Sequence, residues 1–156
     1  MLNQGLGYKA QSMALLPGEG YISFMAPLKP IHLNPFRQAL DSLRRALSQP
    51  KNEFLRDSVI HRFEFTYDLA WKALKRYLEQ EEGVENVGIL QRKELYRMAA
   101  EKGLLEDPVV WFAYHRARNE TVHTYQEAKA EEVFAIAAKF VMDAAGLLQK
   151  LEARLQ

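Results

Sequence analysis

Residues 52–83 read NEFLRDSVIHRFEFTYDLAWKALKRYLEQEEG, and their periodicity decides the fold. Val59, Phe63, Tyr67, Ala70, Leu74 and Leu78 recur at steps of three and four, which is one face of an α-helix. Ile60, Leu69 and Trp71 widen that stripe, so the helix is expected to be central and contacted on two sides. Asn52 can cap its start and Gly83 can end it.

Working outward, similar signals flank this segment. Asn34-Pro35 is a capping residue followed by proline at the first helical position, and Phe36, Leu40, Leu43 and Leu47 continue at helical spacing up to Pro50. On the other side, Ile89 to Lys102 fits a third helix stopped by Gly103 in the left-handed conformation. Asp107-Pro108 opens a fourth, with Val110, Trp111 and Tyr114 available for burial. Thr124-x-x-Glu127 has the form of a capping box. It opens a fifth helix with the stripe Val133, Ile136, Phe140, Ala144, Leu147, Leu151 and Leu155. The expectation is an all-α, antiparallel up-and-down bundle of about five helices spanning residues 35–156. Residues 1–34 differ: they hold half of the glycines and half of the prolines. Gly7–Leu16 and Tyr21–Met25 can form a β-hairpin around Pro17-Gly18-Glu19-Gly20. This non-helical extension is expected to pack at a subunit interface, because its apolar residues need burial but are too few to fold alone.

Composition narrows the function. The 156 residues are 48% apolar and 26% charged, which fits one folded domain. The net charge of +1 disfavours broad duplex binding through phosphate neutralisation, though it leaves room for a local anion site. Cysteine is absent, so there is no disulfide or thiolate metal site. No run reaches membrane-spanning length, and Met1 to Pro17 lacks a signal-peptide pattern. These features suit the cytoplasm. No Walker loop, dinucleotide fingerprint or nucleophile elbow is present. The four histidines show no i, i+4 pairing, so neither a metal nor a cofactor is expected.

One constellation can carry chemistry: Arg118-Asn119-Glu120-Thr121-Val122-His123-Thr124-Tyr125. An arginine and a histidine with four residues between them (Arg-x4-His) is a weak signal by itself, and Arg56 with His61 repeats it. That second pair lies inside the long helix, where five residues set the two side chains about 140° apart. Arg118 and His123 instead straddle an expected helix break, with His123 just before a helix N-terminus that favours anions. Arg118 can bind a phosphate with its fork, His123 can move protons near neutral pH, and Tyr125 offers a hydroxyl and a stacking face. A structural reading also fits: Arg118 pairs with Glu120 or a carboxylate of a neighbouring helix, and His123 acts as a staple. Glu64 and Asp68, four apart on one stripe, are either a carboxylate pair or the anchor for an arginine such as Arg118.

Ile60-His61-Arg62-Phe63-Glu64-Phe65-Thr66-Tyr67-Asp68-Leu69-Ala70-Trp71-Lys72, the Gly103-Leu104-Leu105 and Trp111 stretch, and Arg118-Asn119 through His123-Thr124-Tyr125 occur in an order that is similar to one family. Over roughly residues 34 to 155 the chain resembles the nucleotidyltransferase substrate-binding proteins of the HEPN superfamily. The resemblance implies a small, prokaryotic, cytoplasmic, all-helical protein, dimeric or higher, encoded beside a minimal nucleotidyltransferase. Related HEPN toxins are metal-independent ribonucleases of toxin–antitoxin pairs. Their Arg-x4-His-x-Tyr motif lies near a dimer interface and is silenced when the partner adenylylates the tyrosine. Carried over, Arg118 and His123 are catalytic, Asn119 is the supporting polar residue and Tyr125 is the modification or base-stacking site. The ligand is then single-stranded RNA. The alternative is a non-catalytic subunit that presents a substrate or nucleotide to the transferase. Residues 1–34 depart from the family pattern.

Overall fold

Local caps set most of the helix ends. In the computed structural model, which describes residues 29–83, 87–88 and 90–156, the long helix α2 covers Glu53–Gln80. Its cap is the Asn52 side chain, which accepts from the Leu55 amide at 2.8 Å. Gly83 beyond its end takes φ 68°. Helix α1 (Asn34–Leu47) precedes it. The expected cap moves back one residue, because Leu33 supplies the first carbonyl to the Arg37 amide at 2.9 Å. Asn34 joins the first turn, where its side chain accepts from the Arg37 guanidinium.

Helix α3 covers Arg92–Glu101, starting later than the expected Ile89. The Glu94 carboxylate reaches back to the Gln91 amide at 3.2 Å, and this reciprocal cap fixes the boundary. At the other end, Gly103 has φ 76°. The Leu104 amide donates to the Ala99 carbonyl and the Gly103 amide to the Ala100 carbonyl, both at 2.9 Å, as a left-handed helix stop requires. Helix α4 (Pro108–Glu120) opens as read: Asp107 Oδ1 accepts from the Val109 amide at 2.8 Å. A 3₁₀ turn, Thr121–His123, continues it, and α5 (Glu127–Arg154) closes the chain. The described residues hold these helices and no strand. The β-hairpin expected around Pro17 lies outside the described residues.

Helices α2 and α5 form the spine, with α1 and α4 packed on both and α3 laid against α4. At about 1.5 Å per residue each spine helix is roughly 42 Å long. An aromatic cluster locks them together. Phe140 of α5 meets Phe63 of α2 edge-on at 5.2 Å, and Trp111 and Tyr114 of α4 at 5.8 and 5.1 Å. Truncating such a buried ring typically costs about 3–5 kcal/mol. This packing fixes α4 against α2, and the last turn of α4 carries the candidate motif. Among the described residues no helix is long and apolar enough to cross a membrane.

Candidate functional site

Arg118 sits on the last turn of α4 and turns toward α2, where Glu64 and Asp68 lie one helical turn apart. Its guanidinium forks onto Asp68: Nε donates to Oδ1 and Nη2 to Oδ2, each at 3.0 Å. Nη2 also lies 3.3 Å from a Glu64 oxygen. Two carboxylates at i, i+4 repel each other, and Arg118 relieves that repulsion while they hold it in one rotamer. The Asp68 hydrogen bonds raise the Arg118 pKa, so it stays a cation. Only Nη1 is lightly engaged, donating to Thr121 Oγ1 at 3.4 Å. That edge is the one left to grip an anion.

The sequence places an N-cap at Thr124, and the structure corrects this. Thr124 Oγ1 donates to the Thr121 carbonyl at 2.9 Å, so the hydroxyl is spent inside the turn that extends α4. The fifth helix starts three residues later, with Gln126 at the cap position. Glu127 does not reach back as a capping box would. Its carboxylate accepts from Arg56 Nη1 at 2.6 Å. His123 therefore ends the 3₁₀ turn instead of abutting the N-terminus of α5, and it is exposed. Tyr125 is 80% exposed, its ring edge-on to His123 at 6.5 Å.

The motif residues thus divide. Arg118 is anchored inward on Asp68 and Glu64, and His123 and Tyr125 stand together in solvent. Among the described residues no hydrogen bond or ring contact joins Arg118 to His123. An open cleft of about 310 Å³ is walled by His61 and Glu64 of α2 and by Thr121, Thr124 and Tyr125. Neither Arg118 nor His123 lines it, though Glu64 and Thr121, which do, both touch Arg118.

Asn119 points the other way, into a polar chain that sequence reasoning missed. Its amide Nδ2 lies 3.4 Å from His115 Nε2, and His115 Nδ1 lies 3.1 Å from the Tyr67 hydroxyl. Tyr67 also pairs with the Tyr96 hydroxyl and accepts from Arg92 Nη1 at 3.2 Å. With Asn119 donating to Nε2, His115 Nδ1–H donates to Tyr67, whose hydroxyl shares a hydrogen bond with that of Tyr96. Burial pushes both phenols up, so they stay protonated near neutral pH. Burial, aided by Arg92 and Arg118, pulls His115 below its ordinary value and keeps it neutral. The clue in the sequence is the i, i+4 spacing of His115 and Asn119; their partners on α2 and α3 leave no local signature.

With this geometry in view, residues 31–153 match the family described as nucleotidyltransferase substrate binding protein like. The chain belongs to that family. A Haemophilus influenzae relative named probable ribonuclease HepT is 38% identical over 98 residues, which cover 62% of this chain and 67% of the relative. A solved Haemophilus influenzae structure, reported as the fold of a substrate-binding domain of a nucleotidyltransferase, is 32% identical with a TM-score of 0.71. The match covers 78% of this chain and 99% of that one. A Thermus thermophilus crystal structure is 33% identical with a TM-score of 0.67, over 74% of this chain and 98% of that one. The expected all-helical HEPN-type family assignment therefore stands.

Proposed function

We propose that the chain is a HEPN-type ribonuclease that works as a homodimer or higher oligomer beside a nucleotidyltransferase, in the manner of a toxin and its antitoxin in the cytoplasm. The observation that carries this is the arrangement of the motif: a cation anchored on Asp68 with one lightly engaged donor edge, followed by an exposed histidine and an exposed tyrosine. In this reading His123 takes the proton from an RNA 2′-hydroxyl. The 2′-oxygen attacks the adjacent phosphorus, the bond to the 5′-oxygen breaks, and that oxygen takes a proton from water while the protonated His123 returns its own to solvent. A 2′,3′-cyclic phosphate remains. Arg118 Nη1 stabilises the charge growing on the phosphate, and Asp68 and Glu64 hold the guanidinium in place. Asn119, held by His115, is the supporting polar group. Tyr125 stacks on a base and is the hydroxyl the partner modifies.

Incubating the full chain with single-stranded RNA and excess chelator tests this. Cyclic-phosphate ends are the expected product. Tyr125→Phe should keep much of the cleavage and lose any silencing by nucleotide transfer. Sedimentation should show a dimer or larger at micromolar concentration.

A second reading has its own observation. Arg118 spends most of its donors on Asp68 and Glu64, while the cleft lined by Glu64, Thr121 and Tyr125 is open. That suits a non-catalytic subunit that presents a nucleotide or other substrate to the transferase. Wild-type protein that leaves RNA intact from about pH 6 to 8, yet binds mononucleotide in this cleft, would favour it.

A further inference from the structure

The first turns of α3 and the middle of α4 form a surface outside the motif. Three cations lie there on aromatic rings. The Arg92 guanidinium sits 4.0 Å from the Trp71 ring centroid. Lys93 Nζ and the Arg97 guanidinium sit 5.6 and 5.4 Å from that of Phe112. None of the three has a carboxylate within ion-pairing distance among the described residues. The acidic residue at the start of α3, Glu94, is turned onto the Gln91 amide. Arg45, Arg116, Lys139 and Lys150 also lack a carboxylate partner among the described residues, but the α3–α4 group differs in gathering three such cations on two neighbouring rings. A cluster left without counter-charge in a chain of net charge +1 is a local concentration of positive potential.

This cluster is continuous with the motif. Phe112 and Asn119 are seven residues apart on α4 and so share a face, with His115 between them. Arg92 is tied to His115 beneath this face through the buried Tyr67 hydroxyl. We infer that the Arg92, Lys93, Arg97, Trp71 and Phe112 surface docks the flanking nucleotides of a single-stranded RNA whose phosphate chain continues along α4 toward Asn119 on its last turn. The chemistry fits that ligand. Cations lacking carboxylates take phosphates, and the half-buried rings beside them take bases. The choice of RNA rests on the ribonuclease reading, and the surface itself can be tested without cleavage.

The experiment uses the full chain carrying His123→Ala and a short, fluorescently labelled, mixed-sequence single-stranded RNA, titrated between about 50 and 200 mM salt. Adding Lys93→Gln and Arg97→Gln should lower affinity on the order of tenfold at low salt. It should also flatten the slope of log affinity against log salt by about 1.4, roughly 0.7 for each phosphate no longer neutralised. Both residues are exposed, so the melting temperature should stay unchanged. Arg45→Gln with Lys139→Gln removes the same charge elsewhere and should leave affinity and slope unchanged. An unaltered slope in the Lys93/Arg97 variant, equal losses in both variants, or no RNA binding at any salt would overturn the inference. So would a variant that binds RNA normally and instead fails to retain a nucleotidyltransferase. RNA bound through this surface but left uncut by the wild-type chain would sink the ribonuclease reading alone.

Discussion

The chain writes the same short pattern twice, Arg56 with His61 and Arg118 with His123, and the fold uses the two in opposite ways. Arg56 is in the first turn of α2 and 5% exposed, and its Nη1 is shared between Glu127 and Glu131 at 2.6 and 3.0 Å. It ties the start of α5 to α2, and those two bonds raise its pKa further. His61, on the same helix, rests edge-on to Phe65 at 5.5 Å on the wall of the cleft. Arg118 is also held by carboxylates, but its helix stops two residues later, and the 3₁₀ turn releases His123 and Tyr125 into solvent. Spacing alone therefore carries little. A break in the helix just after the arginine leaves it with a lightly engaged donor edge and puts an exposed histidine beyond it, which in the proposed reading makes a site out of a structural tie.

The largest effect expected from this contrast lies in the histidines. His123→Ala should cut RNA cleavage about 10²–10⁴-fold while the protein stays folded, the usual loss when a general acid–base group is removed. His61→Ala should change kcat far less. Equal losses in single-turnover assays would erase the distinction between the pairs.

The arginines come next. Arg118→Ala should lower cleavage by roughly 10²-fold or more. Arg118→Lys should not rescue it, because an ammonium cannot fork onto Asp68 and still present a second edge. Arg56→Ala should instead lower the melting temperature and leave kcat per folded molecule near wild type. The comparison breaks if thermal melts and active-site titration give the reverse ranking.

The fold is legible in the sequence where the determining contact is local. Asn52 reaches Leu55, Asp107 reaches Val109 and Gly103 turns left-handed, all within a few residues. The start of α5 differs from its sequence signal because a hydroxyl and a carboxylate find other partners. Thr124 bonds back into the preceding turn, and Glu127 is drawn to an arginine 71 positions away. The same distance hides the value of Arg56, and the polar chain from Asn119 to Arg92 depends on pairings up to 48 positions apart. Asp68 as the anchor of Arg118 is one of two open readings in the sequence, because a carboxylate pair on a helix stripe looks the same before its partner is known.

The smallest expected effect sharpens the comparison from within α4. The folded-state pKa of His115 is lowered from its ordinary 6.5, burial being the main cause. The unfolded chain then binds the proton more readily than the folded one. The stability this neutral histidine supports is present above about pH 6.5 and is lost as pH falls toward the lowered value. Thermal melts between about pH 5 and 7 should show a decline that His115→Gln reduces. A pH response unchanged by that substitution would place the titrating group elsewhere.

The two tryptophans sit at different depths, and this gives the molecule two built-in reporters. Trp111 is 2% exposed in the aromatic cluster around Phe140, so its emission follows the integrity of the core. Trp71 is only partly buried and lies beneath the Arg92 guanidinium at the edge of the basic surface. A quencher or bound strand that reaches that edge dims one indole and spares the other. Replacing either with phenylalanine separates their signals, so unfolding and occupancy can be followed in a single cuvette without attaching a dye.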